Sequence, residues 1–164
     1  MQINRRTQKI TITALMAAVI FVVTYIVRIP IPIASGGYLN IGDAPVYIAG
    51  FLLGGPWGAV AAAIGSALSD LAGGYVAYAL PTAVVKGAMG FVCGKLMEKD
   101  GAGRFVLTAI LGGAIMVGGY AGFEAVLFNA NQALAAIPFN CIQWAGGVIV
   151  ASALYPAICR LRSR

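Results

Sequence analysis

The segment GSALSDLAGGYVAYALPTAVVK, residues 65–86, sets an acid, Asp70, and a base, Lys86, on either side of two aromatics, Tyr75 and Tyr78. Spacings of three and four residues place Ser66, Ser69 and Asp70 on one face of a helix. The chemistry on offer is recognition. Hydroxyls, a carboxylate and an ammonium fix the edges of a solute, and phenol rings stack on its faces. Catalysis is poorly served: histidine is absent, which removes the commonest general base and metal ligand. Neither a G-x-S-x-G elbow nor a P-loop occurs. Cys93, Cys141 and Cys159 stand in apolar segments without C-x-x-C spacing and read as small buried hydrophobes. The reading is a chain that is no enzyme and carries no cofactor or metal.

The elements that position these groups follow from composition. Of 164 residues, 60% are hydrophobic and only 10% charged, against about a quarter charged in soluble domains. Mean hydropathy is +0.89. This is an integral membrane protein, and about five to seven spans of roughly 20 residues fit its length. The 22 glycines suit close helix packing in lipid. A net charge of +6 raises the idea of a nucleic-acid partner. The basic residues instead gather at the chain ends and in one loop, where the positive-inside rule puts them, so no nucleic acid is expected. The first apolar run, residues 10–27, exceeds the ~7–15 residues of a cleavable signal core.

Breakers and hydrophobic runs predict an all-α protein of six transmembrane helices, at about 7–28, 42–53, 57–72, 81–97, 105–128 and 138–158. The second is too short for a straight span. Arg5, Arg6, Lys9, Lys95, Lys99, Arg104, Arg160, Arg162 and Arg164 all fall on one side of this topology, and Arg28 on the other. That asymmetry puts both termini in the cytoplasm. Residues 1–164 then form a single six-helix domain, multi-pass in a bacterial cytoplasmic membrane. The outer loops lie at 29–41, 73–80 and 129–136; the first, apolar but rich in breakers, is expected to fold back as a lid. The charged loop of Lys95, Glu98, Lys99, Asp100 and Arg104 lies inside.

On this topology the polar groups converge near the outer face. Asp43 opens the second helix and Asp70 nearly closes the third, while Thr82 and Lys86 share a face of the fourth. Tyr120 and Glu124 share one on the fifth, and Asn140, Gln143 and Trp144 one on the sixth. With Tyr38 and Asn40 of the outer loop they form a cup open outward over an apolar floor, unlike a channel, which needs polar lining throughout. Tyr38, Tyr75, Tyr78 and Trp144 are the expected stacking partners of a small ring compound that is not strongly anionic. An Asp70–Lys86 pair is expected to bridge the third and fourth helices. Small-residue pairs at Ala14 and Ala18, Gly90 and Gly94, and Gly118 and Gly122 mark faces that admit another helix closely.

At these residues the chain resembles the substrate-binding S components of energy-coupling-factor (ECF) vitamin transporters. The likeness is carried by GGYLNIGDAPVYIAGFLLGGPWGAVAAAIGSALSDLAGGYVAY, by PTAVVKGAMG and by IPFNCIQ, and it spans nearly the whole chain. It resembles most the branch for hydroxymethylpyrimidine, pyridoxine or similar small heterocycles. The resemblance implies high-affinity capture of a vitamin or its precursor from outside. It also implies partners in the bilayer and beneath it: a membrane coupling (T) protein and two ATPases, docked through an A-x-x-x-A pattern that Ala14 and Ala18 match. A stand-alone proton-coupled transporter, with Glu124 or Asp70 titrating, is the competing expectation.

Overall fold

The computed structural model describes residues 5–32, 37–97 and 101–162. They form α1 (Arg5–Ile26), β1 (Arg28–Pro30), β2 (Tyr38–Asn40), α2 (Asp43–Leu53), α3 (Gly55–Ala72), α4 (Val76–Leu96), α5 (Ala102–Leu127) and α6 (Ala130–Arg162). Glu98, Lys99, Asp100 and Arg164 of the expected inner charge lie outside the described residues.

The short second helix is the hub. At 1.5 Å per residue, α2 is about 16 Å long, half the hydrocarbon thickness, and every residue from Asp43 to Phe51 is buried. A helix apolar on nearly all sides belongs in an interior, and α2 touches α1, α3, α4, α5 and α6. Four of the others, α1, α4, α5 and α6, are each long and apolar enough to cross a membrane.

Glycine lets α2, α3 and α4 meet backbone to backbone. A Cβ on Gly94 would stand 2.3 Å from the Gly55 nitrogen, and one on Gly90 would stand 2.6 Å from the Gly58 oxygen. The Gly90–Gly94 face therefore packs inside the bundle, as its spacing predicts. Gly118 and Gly122 do not: a Cβ there meets nothing within 4 Å.

Three boundaries differ from the sequence expectation, each for a physical reason. First, α4 starts at Val76, not Pro81, so the α3–α4 connection shrinks to Gly73–Tyr75. Gly74 takes φ +83°, a conformation open to glycine, and the Tyr75 amide returns to the Asp70 carbonyl at 2.8 Å. Pro81 is the sixth residue of α4, past the first turn, so the helix continues through it without the bond its N–H would make to the Ala77 carbonyl. Second, α6 starts at Ala130 rather than Pro138, because the Asn129 carboxamide accepts from the Gln132 amide at 3.0 Å and caps the first turn. Third, 29–41 is no plain loop. Its ends form an antiparallel hairpin, with Arg28 opposite Asn40 and Pro30 opposite Tyr38.

Candidate functional site

The hairpin lies over the C-terminal end of α3, and Arg28 and Tyr38 hold it there. The Arg28 guanidinium donates to the Ser69 carbonyl and hydroxyl, both at 2.9 Å. It also stands 4.3 Å from the Tyr38 ring centre and 5.2 Å from that of Tyr75, within cation–π range. Tyr38 donates its phenol to Asp70. Burial, and then the Asp70 carboxylate, push the Tyr38 hydroxyl well above the ordinary phenol range, so it stays a donor at any physiological pH. Gly73 leaves the room for this latch, since a Cβ there would fall 1.7 Å from an Arg28 nitrogen.

Removing the phenol should loosen the hairpin. A hydrogen bond to a charged group is worth about 1.5–3 kcal/mol. Tyr38→Phe is therefore expected to speed hydrogen exchange at residues 38–40 by roughly tenfold or more. Unchanged exchange would show that this bond does not hold the hairpin down.

Beneath the hairpin is a recess with about 460 Å³ of space between atoms, its mouth included. Tyr38 and Asn40 line it from β2, Asp70 from α3, and Tyr75 and Tyr78 from the turn into α4. Thr82 follows on α4, with Tyr120 and Glu124 on α5 and Asn140 and Gln143 on α6. Eight of the eleven residues expected from sequence thus meet at one place. Thr82 and Tyr120, whose hydroxyls lie 2.9 Å apart, join them. Both already shared a helix face with an expected residue, and that spacing is the signal by which they are found.

The other three lie elsewhere. Trp144 turns away from the recess toward α5, where a Cβ on Gly113 would stand 1.7 Å from its indole. It is not among the residues that line the recess. The expected Asp70–Lys86 bridge is not formed either. Because α4 begins at Val76, Lys86 lies ten residues in, about 15 Å below the helix start rather than in the outer third. There it pairs with Asp43, both fully enclosed, and its ammonium also touches the Met116 sulfur at 3.1 Å. The pair supports the recess without lining it.

Gln143 connects the two levels. Its Nε2 donates to Asp43 Oδ2 at 3.3 Å and to Met116 Sδ at 3.2 Å. Its Oε1 accepts from the Asn40 amide at 3.0 Å and from Asn40 Nδ2 at 3.1 Å. An amide has two donors and two acceptor sites, so all four are occupied within the protein. Gln143 is a strut between hairpin and ion pair, with nothing left to offer a solute. Glu124 differs: one oxygen accepts from the Tyr78 hydroxyl at 3.1 Å, and the other is buried without a partner.

Away from the recess, α1 and α3 border an apolar groove. Ala14 and Ala18 line it together with Phe21, Trp57, Val60 and Leu68, and both alanines are exposed. Ala17, between them, is buried against Gly65, where a Cβ would stand 2.4 Å from its carbonyl.

The family model of the ECF-type riboflavin transporter S component matches residues 4–160. The chain belongs to that family. Its members are transporter components, not enzymes, and they are membrane proteins. Among curated relatives of this S component, the uncharacterized protein in gap 3′ region of Pyrococcus woesei is 40% identical over 134 residues, 81% of this chain and 89% of the relative. The thiamine precursor transporter HmpT of Lactococcus lactis subsp. cremoris is 29% identical over 157 residues, 96% of this chain and 91% of HmpT. Among solved structures, the S component for biotin from an ECF-type ABC transporter superposes with TM-score 0.77. It covers 100% of this chain and 95% of its own at 19% identity, a likeness of fold alone.

Proposed function

We propose that this S component captures a small, water-soluble vitamin or vitamin precursor at the outer face of the cytoplasmic membrane. It delivers the molecule inward together with a membrane coupling protein and two ATPases. Both termini lie in the cytoplasm on this reading, which the one-sided placement of arginine and lysine supports. The observation that carries it is the one-sided site: a recess of phenols, amides and carboxylates under the hairpin, with a buried ion pair and an apolar hub below it. Such a shape holds a polar solute but gives it no path through.

HmpT supports a thiamine precursor, a small polar heterocycle, as the cargo. The aromatic lining suits that class: Tyr75 beside Tyr38, ring centres 4.7 Å apart, and Tyr78 beside Tyr120 at 6.5 Å. Lys86 pairs with Asp43 and Arg28 bonds to Ser69 on α3, and no lysine or arginine stands among the described residues that line the recess.

Uptake of a labelled thiamine precursor by cells making this chain tests the reading. It should require the coupling protein and both ATPases, while the purified chain alone binds the precursor. Uptake into ATPase-free liposomes driven by a proton gradient would instead establish a stand-alone carrier using Glu124 or Asp70.

A further inference from the structure

Within the recess, most polar atoms already have partners. Asp70 accepts from Tyr38, the Thr82 and Tyr120 hydroxyls engage each other, and Gln143 is saturated. Asn40 donates to Gln143, and its carbonyl oxygen accepts from the Gly42 amide at 2.7 Å. Among the described residues, two buried lining atoms are left without a partner: Glu124 Oε2 on α5 and Asn140 Nδ2 on α6. Glu124 is only 4% exposed. A polar atom buried and unpaired costs about 1–3 kcal/mol, more for a charged group, so such atoms are where a ligand gains most.

We propose that Glu124 and Asn140 read one edge of the ligand, which presents an N–H donor to the carboxylate and an adjacent acceptor to the amide nitrogen. This rests on the capture reading above and narrows it. The cargo is a planar, amine-bearing nitrogen heterocycle, neutral or cationic. Its faces lie against the phenol rings and its edge against α5 and α6. Ligands bearing a carboxylate are rejected, because like charges brought together across a buried contact cost several kcal/mol. Glu124 is thereby a specificity-determining residue, and Gln143, despite lining the recess, is not.

Three ring compounds of nearly equal size separate the possibilities: 4-aminopyrimidine, 4-methylpyrimidine and pyrimidine-4-carboxylate. Their binding to the purified wild-type chain is read by calorimetry or ligand-observed NMR. The amine should bind at least about tenfold more tightly than the methyl compound, the value of one hydrogen bond to a charge, and the carboxylate most weakly. Glu124→Met and Asn140→Leu should each remove the amine's advantage while the methyl compound binds as before, which also shows that the variant is folded. If a variant binds neither compound, the wild-type ranking decides. Equal binding of amine and methyl compounds to the wild type would overturn the edge assignment and leave the recess standing. Absence of binding by all three would overturn the recess reading, and this one with it.

Discussion

Lys86→Met is expected to cost about 3–5 kcal/mol of stability, the usual penalty for stripping the partner from a buried charge. Asp43 is 0% exposed and Lys86 3%, and the two form a buried ion pair. Without the ammonium, Asp43 keeps only the long contact from Gln143. The strut to Asn40 then loses its anchor as well. For a chain of this size the loss corresponds to roughly 10 °C in thermal unfolding, measurable in detergent by tryptophan fluorescence. The double variant Asp43→Asn/Lys86→Met removes both charges and should recover most of it, because a buried pair contributes little net stability over a neutral replacement. A single variant within about 1 kcal/mol of wild type, or a double variant no better than the single, would show that the pair is not a buried charge couple.

That pair also shows where sequence reasoning stops. That the chain buries an acid and a base is legible in the sequence, because charge is so rare in it; the depth at which Lys86 lies is not. Which acid meets Lys86 is not legible either. The answer depends on α4 starting at Val76, five residues before the proline that seemed to begin it, and this carries Lys86 down to the level of Asp43. Helix faces were read correctly wherever partners shared a helix, as with Tyr120 and Glu124. Trp144 shares a helix face with Gln143 in sequence but packs away from the recess, because the Gly113 notch that receives its indole belongs to another helix. Gln143 was rightly placed at the recess, yet its saturation rests on Asn40, Asp43 and Met116, three partners distant in sequence. The hairpin reads in the sequence only as a folded-back loop, since three-residue strands leave no periodicity to detect.

The second large effect separates capture from transport. The recess lies under the hairpin, and no α1 residue lines it, while Ala14 and Ala18 lie exposed on the groove between α1 and α3. Only small side chains let a second helix approach to backbone distance in a bilayer. The buried neighbour Ala17 already uses that advantage against Gly65. Ala14 and Ala18 are therefore the proposed seat of the coupling protein. Leucine at both positions would hold a partner helix several Å away and remain content in lipid, so the fold itself should tolerate the change.

The most direct measurement takes this Ala14→Leu/Ala18→Leu variant and determines ligand affinity and ATP-dependent uptake on the same preparation. Ligand affinity should stay within about twofold of wild type, since the groove and the recess share no residue. Co-purification with the ATPase-bearing complex, and uptake with it, should fall at least tenfold, the effect of losing about 1.4 kcal/mol or more of docking energy. Normal uptake by the double variant, or loss of ligand binding along with uptake, would contradict a capture subunit that docks through α1.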